Sequence, residues 1–351
     1  MADGLCLGRS LEAYVASHGF WRPKLSQPLL PPEPLHLPAA MHAATHQGAI
    51  PGIIWMFWAQ QVGLGAFRRA CIHSWICKNP GWRVMLLSRE NCFSFIDPEE
   101  LPKHWRRMPL AALSDAVRLA LLRRHGGVYV DVSVVCNLAL EDWLPNKPWP
   151  LVAFFYENCG RVGRINEGEY VENWFLACAR GSELIRRWHA AFMQFWHDRA
   201  SADEAGGVWA SEMFRDIDLS LMAHQQANYL SMHCCFKWLL DTDPAARQLS
   251  RESLLLSAQA AIGWIRELAG VHEDWCKSNV VGRHAARWLY RDDLEWVEQL
   301  LRRAPMLKFV GAHASIFDRQ PVHHLLRPKT CMELLIKHAL QARQSHLEEA
   351  A

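Results

Sequence analysis

The alternation of apolar runs and amphipathic segments along the chain predicts alternating strands and helices. Three short apolar runs are typical of buried strands, at 52–58, 82–87 and 128–135. Segments with helical spacing separate them, at 65–77 and 110–125, and Gly126-Gly127 ends the second segment. This order is typical of an α/β domain with a mostly parallel sheet.

The later part of the chain continues the mixture of strands and helices. Further strands are predicted at 151–156, 171–177 and 306–311. Helices are predicted near 182–198, 222–240, 256–269, 291–303 and 330–344. The region 200–300 is therefore expected to form a mostly helical lobe beside the sheet.

The sequence divides into three parts. Residues 1–49 are predicted to form a short helix and then a polyproline-like arm, because six prolines fall within 23–38. Residues 50–318 are the predicted folded domain, which includes the helical lobe. A helical tail is expected over 319–351.

Composition excludes several classes of protein. Of 351 residues, 50% are hydrophobic and 21% are charged, which excludes a mainly disordered chain. The net charge of +2 disfavours a dedicated DNA-binding protein, and no nucleic-acid partner is expected. The 11 cysteines include no C-x-x-C pair, which disfavours a zinc site or a disulfide framework. No apolar run approaches the ~20 residues of a membrane span, and the N-terminus lacks a secretory signal pattern. We therefore expect a cytoplasmic protein without a transmembrane segment.

One stretch of the sequence carries the candidate chemistry. Asp115 and Arg118 lie three residues apart and so share one face of the predicted helix. Asp131 is a lone carboxylate in an apolar strand, where a charge is costly unless it is paired or binds a metal. Two simpler readings stay open. Asp131 can end the strand and cap the next turn, and Asp115 with Arg118 can form a surface ion pair of little energetic value.

The same stretch resembles a known signature. Its pattern is similar to the S-D-x-x-R…G-G-x-Y-x-D-x-[DST] motif of sugar-nucleotide-dependent glycosyltransferases, in residues 114–118 and 126–133. The chain most resembles the capsular polysaccharide synthesis family, which is similar to the family 32 glycosyltransferases and to the clostridial glucosylating toxins. The resemblance extends to the opening strand at 50–58, the turn at 79–82, the strand at 172–177, Tyr229 with His233, Asp243-Pro244, and the late segment at 305–309.

The resemblance implies a GT-A-like fold and a set of site residues. As catalytic residues it implies Asp131, Asp115 and Arg118. For donor binding it adds Trp55, Phe57, Ser114, Tyr129, Asn173, Trp174 and Lys308. The implied metal ligands are Asp131, Ser133 and His313, although Ser133 stands where a strict DXD motif has its second Asp.

The function implied by this resemblance is glycosyl transfer from a nucleotide sugar, with a UDP-sugar as the expected donor. The acceptor is expected to be a saccharide or polysaccharide, the cofactor Mn²⁺ or Mg²⁺, and the anomeric configuration retained. Association with a membrane-bound biosynthetic complex is compatible with this function. Two alternatives remain: a glycosyltransferase that modifies protein side chains, and a degenerate protein that binds sugars or acts as a scaffold without catalysis.

Overall fold

The computed structural model describes residues 50–59, 63–145, 147–155, 170–199, 204, 207–220, 227–258, 260–262, 288–289 and 291–341. The predicted N-terminal helix and proline-rich arm lie outside these residues. The strands are β1 (Ile53–Phe57), β2 (Arg83–Leu87), β3 (Gly127–Val130), β4 (Val134–Cys136), β5 (Val152–Phe155), β6 (Val171–Cys178), β7 (Leu254–Ser257) and β8 (Met306–Lys308).

The α-helices lie on both sides of this strand framework. They are α1 (Ala66–Lys78), α2 (Leu110–His125), α3 (Leu140–Trp143), α4 (Glu183–Trp196), α5 (Ser231–Thr242), α6 (Pro244–Arg251), α7 (Leu294–Arg303), α8 (Gly311–Asp318), α9 (Val322–Leu325) and α10 (Cys331–Leu340). Short 3₁₀ turns occur at Cys92–Ser94, Pro98–Glu100, Trp105–Arg107 and Glu212–Phe214.

Among the described residues, six strands form the central sheet, in the order β2-β1-β3-β6-β5-β7. The pairs β1–β2, β1–β3 and β5–β7 are parallel, whereas β6 is antiparallel to both of its neighbours. Five strands therefore run in one direction and β6 in the other. The predicted α/β class with a mostly parallel sheet is confirmed.

Strand β1 lies inside the sheet and is buried along its whole length. Its side chains alternate between two cores, as a pleated strand requires. Ile54 and Met56 pack into one core, and Ile53, Trp55 and Phe57 pack into the other. Both faces of the sheet are thus covered, which explains why this segment is apolar throughout rather than alternating.

The turn from α2 into β3 depends on two glycines. Gly126 and Gly127 have φ values of +66° and +91°, which side-chain-bearing residues rarely adopt. A Cβ atom on Gly127 would also lie 2.7 Å from the carbonyl oxygen of Ile53. The pair lets the chain leave α2 and enter the sheet directly beside β1.

The predicted strand over 128–135 is in fact two strands. β3 ends at Val130, and the amide of Val134 donates to the carbonyl of Asp131 across a turn at 3.1 Å. Asp131 and Ser133 therefore lie in the turn between β3 and β4. Asp131 thus lies just beyond the end of β3, and its carboxylate contacts Arg118 and Lys308. β4 then pairs with β8 in a separate antiparallel sheet, with Val134 opposite Lys308.

The C-terminal half shows a second difference from expectation. The segment predicted as a helix over 256–269 begins instead with β7, which forms one edge of the central sheet. Residues 263–287 of the predicted lobe lie outside the described residues. In the predicted tail, α10 packs against α1 and contributes to the main core. Within the described residues, no helix is long and apolar enough to cross a membrane.

Candidate active site

A cavity of about 430 Å³ opens at the edge of the central sheet where β1 and β3 end. The start of α2, the start of β6 and the segment after β8 complete its walls. The carboxyl ends of parallel strands are the usual place for a ligand in an open α/β sheet. The cavity brings together most of the residues implied by the sequence resemblance: Phe57, Ser114, Asp115, Arg118, Asp131, Ser133, Asn173, Trp174 and Lys308.

The centre of the cavity wall is formed by buried Asp115 and Arg118 with half-buried Ser114 and Asn173, here called the Arg118 cluster. Nη2 of Arg118 lies 3.3 Å from Oδ1 of Asp115 and donates to Oγ of Ser114 at 3.1 Å. The amide of Asn173 donates to the same Asp115 oxygen at 2.9 Å. Asp115 and Arg118 are each 4% exposed. They form a buried network, and the surface-pair reading is wrong.

Tyr129 contacts two members of this cluster, Ser114 and Arg118. Its hydroxyl lies 2.9 Å from Oγ of Ser114, and the guanidinium of Arg118 stacks 4.6 Å from the centre of its ring. The side chain is fully buried and does not line the cavity. Tyr129 therefore orients Ser114 and Arg118, whereas the sequence resemblance implied direct donor binding.

A bulge in β6 presents Asn173 and Trp174 to the cavity. Pairing with β5 passes from Leu176 directly to Glu172, which leaves 173–175 without partners on that side. The carbonyl of Asn173, freed from the ladder, accepts a hydrogen bond from Nη1 of Arg118. Bulges of this kind re-aim side chains beside functional sites. Trp174 is 3% exposed and stacks on Phe154 at 4.9 Å, so most of its ring belongs to the core.

Asp131, Ser133 and Lys308 form a second group, here called the Lys308 cluster. Nζ of Lys308 donates to Oδ2 of Asp131 at 2.7 Å and to Oγ of Ser133 at 3.1 Å. The other carboxylate oxygen of Asp131 lies 3.3 Å from Nη2 of Arg118. Burial disfavours ionisation of Asp131, but the Lys308 ammonium and the Arg118 guanidinium outweigh it and hold the pKa below its ordinary value. Asp131 is thus an ionised bridge between the two clusters.

Two other carboxyl groups in the cavity behave differently. Burial raises the pKa of Asp115 to about 7, although Arg118 opposes the rise. Burial also raises the pKa of Glu172 to about 7, against the influence of Lys308. Near neutral pH the cavity therefore holds one ionised carboxylate and two carboxyl groups that are partly protonated. Buried groups of this kind are common at functional sites.

The aromatic wall of the cavity differs from the expected one. Trp55 is fully buried, donates from Nε1 to the carbonyl of Gly126 at 2.9 Å and packs against Phe95. It does not line the cavity, so the prediction that Trp55 contacts the donor is wrong. Phe57 does line the cavity, and the next residue, Trp58, lies beside it with the guanidinium of Arg68 4.8 Å from its ring centre.

The cavity wall also contains residues for which the sequence predicts no site role. Glu172, Tyr229 and His233 line the cavity, and the last two were noted only as part of a helical motif. Burial and the charge of Arg118 lower the pKa of His233 to about 4, so its imidazole is neutral. Two sequence features point to unpredicted wall residues. Trp58 directly follows β1, and Glu172 is a carboxylate near the start of β6. Conversely, His313 is 2% exposed and is not among the described residues that line the cavity.

The donor set of the Lys308 cluster does not fit the expected Mn²⁺ or Mg²⁺. These ions prefer several oxygen ligands. Asp131 and Ser133 offer one carboxylate and one hydroxyl, and both Asp131 oxygens already face a cation. Among the residues that the structure describes, no group of three His, Cys, Asp or Glu side chains is placed to hold a metal. The divalent cation stays a prediction.

Comparison with known families confirms the resemblance found in the sequence. Residues 37–204 match the model of the family described as capsular polysaccharide synthesis protein. These residues include β1 to β6, and thus the Arg118 cluster, Asp131 and Ser133. Lys308, β7 and β8 lie beyond the matched range.

Three curated fungal proteins are similar to parts of the chain. Glycosyltransferase afumC of Aspergillus fumigatus is 30% identical over 169 residues, covering 42% of this chain and 41% of the relative. O-glycosyltransferase PaGT of Phomopsis amygdali is 29% identical over 120 residues, covering 31% and 28%. O-glycosyltransferase braB of Annulohypoxylon truncatum is 26% identical over 164 residues, covering 41% and 37%. The matches thus span less than half the length of each relative.

A solved structure, PaToxG Glycosyltransferase, aligns with a TM-score of 0.33 and 13% identity, over 58% of this chain and 84% of that one. The family match covers the part of the fold that includes β1, α2, β3 and β6, which build most of the cavity. Over residues 37–204 this chain is similar to capsular polysaccharide synthesis proteins.

Proposed function

We propose that this protein is a glycosyltransferase that moves a sugar from a nucleotide-sugar donor to an acceptor hydroxyl. The observation that carries the proposal is one cavity in which the buried Arg118 cluster meets an ionised Asp131 beside the Lys308 ammonium. One cluster can bind neutral hydroxyls in a fixed geometry, and the other can face an anion. A nucleotide sugar carries both chemistries next to each other.

The Arg118 cluster suits the donor sugar. Asp115 supplies a carboxyl group that accepts hydrogen bonds from hydroxyls, and Arg118 and the Asn173 amide supply donors. Their mutual contacts fix these groups before a ligand arrives. Buried polar groups that are already oriented favour a ligand that completes their hydrogen bonds and reject one that leaves them unmet. We therefore assign this cluster to recognition of the sugar hydroxyls.

The aromatic wall suits the base of the nucleotide. Trp58 is half-buried, lines the cavity, and is held by the guanidinium of Arg68. An indole presented in this way offers a face on which a base can stack, with about 1–3 kcal/mol per stacked base in single-stranded complexes. Trp58 takes the role that the sequence prediction gave to Trp55, and Phe57 closes the wall beside it.

The diphosphate would lie between these two regions, at the Lys308 cluster. Transfer breaks the bond from the anomeric carbon to a diphosphate oxygen, which leaves with the electron pair. A cation held in a partly buried wall stabilises this developing charge more than it would in water. Lys308 is 7% exposed and lines the cavity.

The acceptor is proposed to be a hydroxyl group of a saccharide. Two of the relatives are named as O-glycosyltransferases, and the matched family is one of polysaccharide synthesis. A protein side chain with a hydroxyl is the alternative acceptor. Retention of the anomeric configuration is proposed from the sequence resemblance alone.

The experiment is a donor screen followed by turnover. The full chain is heated with UDP-, GDP-, ADP- and dTDP-sugars, and each donor that raises the Tm is assayed for sugar release and for transfer to a saccharide panel. Asp292→Asn, an exposed substitution away from the cavity, serves as the control. We expect at least one donor class to raise the Tm and to be consumed. No stabilisation by any donor would contradict the proposal, and stabilisation without consumption would favour the non-catalytic alternative.

A further inference from the structure

Two of the three residues expected to hold a metal, Asp131 and Ser133, hold an ammonium group instead. Lys308 donates to the carboxylate of Asp131 at 2.7 Å and to the hydroxyl of Ser133 at 3.1 Å. These are the carboxylate and hydroxyl of the motif that, by resemblance, would bind Mn²⁺ or Mg²⁺. The cation at this position is therefore part of the polypeptide.

The position of the ammonium is fixed by the backbone on both sides. Lys308 ends β8 and pairs with Val134, the first residue of β4. The amide of the next residue, Phe309, donates to the carbonyl of Ser133 at 3.0 Å. The Lys308 side chain is 9% exposed. A lysine tied on both sides to the turn that carries its partners is a built element of the site, unlike a surface lysine that samples many conformations.

The two positive groups around Asp131 disfavour the binding of a divalent metal ion there. Arg118 faces one carboxylate oxygen at 3.3 Å, and Lys308 faces the other. A divalent ion on Asp131 would have to displace Lys308 or lie beside two positive groups.

We infer that Lys308 supplies the positive charge that a divalent metal would otherwise supply, and that donor binding and transfer proceed without an added divalent cation. The inference rests on the proposed function. An ammonium group has three hydrogen-bond donors, and Asp131 and Ser133 use two of them. The third is available to a diphosphate oxygen from the cavity. Lysine binds phosphate groups as a compact point charge in this manner.

The step balances with the polypeptide's own groups. The acceptor oxygen forms a bond to the anomeric carbon, and the bond from that carbon to the diphosphate oxygen breaks. The electron pair stays on the diphosphate oxygen, where Lys308 opposes its charge. The proton of the acceptor hydroxyl passes to the departing diphosphate, so the products are the glycoside and the protonated nucleoside diphosphate.

Calorimetry on the full chain tests the inference. The protein is stripped with EDTA and titrated with UDP, GDP, UMP and GMP, and then titrated again with excess Mn²⁺. We expect diphosphate affinity in EDTA to match that in Mn²⁺ within about threefold. Lys308→Met should lower diphosphate affinity by about thirtyfold, as expected for a lost hydrogen bond between charged groups, with little effect on the monophosphate. A tenfold or greater gain in wild-type affinity from Mn²⁺ would overturn the inference.

Two further variants separate a charge role from a structural one. Lys308→Arg keeps the charge and should keep most of the diphosphate affinity, while Lys337→Met removes an exposed lysine paired with Glu333 at 2.8 Å and should change nothing. In Lys308→Met, the vacated Asp131 and Ser133 should make UDP binding respond to Mn²⁺, which a purely structural defect would not do. If Lys308→Met fails to fold, the inference is still tested by the response of wild-type diphosphate affinity to Mn²⁺ and by the diphosphate affinity of Lys308→Arg.

The outcomes distinguish this inference from the proposed function. Wild-type protein that binds a nucleoside diphosphate only with Mn²⁺ would keep the proposed function and reject the role of Lys308. Wild-type protein that binds no nucleoside diphosphate in either condition would reject both. Metal-independent binding that is lost in Lys308→Met and kept in Lys308→Arg supports the inference.

Discussion

The Arg118 cluster and the Lys308 cluster lie side by side in one cavity, but the chain builds them differently. Three of the four members of the Arg118 cluster come from five consecutive residues of α2. The Lys308 cluster joins Lys308 to Ser133 and Asp131, which are 175 and 177 positions earlier. A helical spacing is visible in a sequence. A contact across two paired strands from distant parts of the chain is not.

The two clusters also differ in charge. Asp115 lies among Arg118, Ser114 and the Asn173 amide, and burial raises its pKa to about 7. Asp131 faces two cations, which hold its pKa below the ordinary value despite burial. The first arrangement suits neutral hydroxyls, which form hydrogen bonds with either protonation state of a carboxyl group. The second is a fixed ion pair that suits a charged ligand. The protonation state of a buried carboxyl group, and hence the ligand that it suits, thus depends on the charges of its neighbours.

The largest effect is expected from Arg118→Met, which removes the group that touches both clusters. Asp115 and Asp131 would lose a shared partner in a buried setting, and breaking a buried pair typically costs about 3–5 kcal/mol of folding stability. We expect transfer to fall by about a thousandfold, because a charge positioned for the transition state is lost. Melting temperature and sugar release are measured beside Arg302→Met, an exposed control. A variant with near wild-type turnover would place the reacting centre elsewhere.

Asp131→Asn removes the negative charge that links the two clusters while keeping the shape of the side chain. The amide cannot balance Lys308 and Arg118, so both lose the anion that positions them. We expect turnover to fall by about a hundredfold, with UDP affinity in EDTA maintained, since the β4–β8 pairing and Ser133 still hold the Lys308 ammonium in the cavity wall. Calorimetry and sugar release are measured on the same preparation. Loss of UDP binding together with turnover would instead indicate that Asp131 binds the diphosphate through a metal.

The raised pKa of Asp115 predicts that stability depends on pH in a defined direction. The unfolded chain releases this proton near its ordinary value of 3.8, whereas the folded chain retains it up to about pH 7. The free energy of unfolding should therefore fall as the pH rises from about 4 to 7, by about 3 kcal/mol for this group. Asp115→Asn should remove that part of the slope. Urea unfolding at pH 5 and pH 8 measures the difference, and identical slopes for both proteins would contradict the assignment.

The smallest effect is expected from Ser133→Ala. The hydroxyl contributes one hydrogen bond to Lys308 at 3.1 Å, while Asp131 keeps the ammonium in place. Turnover should fall by about fivefold, the value of a single net hydrogen bond. Ser94→Ala, on an exposed turn, is the matched control. A loss as large as that of Asp131→Asn would mean that Ser133 contacts the substrate directly.

Much of the fold was accessible from the sequence, because apolar periodicity determines strand and helix positions. The order of β1, α1, β2, α2 and β3 was predicted, and so were β5 and β6. The turn at Asp131 and Ser133 was missed because the apolar run continues through it to Val135. The strand β7 was missed because Leu254–Ser257 is short and adjoins a segment with helical spacing.

The site residues likewise divide into those that a local sequence pattern predicts and those that only the folded structure brings together. Asp115 and Arg118 could be predicted because one helix face carries both. Trp55 is predicted to contact the donor, but it lies in the middle of β1, where both faces of the strand are buried. The chain reaches the cavity only where the strand ends, at Phe57 and Trp58. The contact of Lys308 with Asp131 depends on the register of β4 and β8, which no local pattern reveals.

The most direct test of the two-cluster account compares Asp115→Asn with Lys308→Met, using calorimetry with UDP and with the UDP-sugar, or the corresponding GDP pair, that the donor screen identifies. Asp115→Asn should lose the extra affinity for the sugar conjugate and keep the affinity for the free diphosphate. Lys308→Met should lower the affinity for both ligands by the same factor. Equal losses for both ligands in both variants would contradict the division of the cavity into a sugar-binding cluster and a diphosphate-binding cluster.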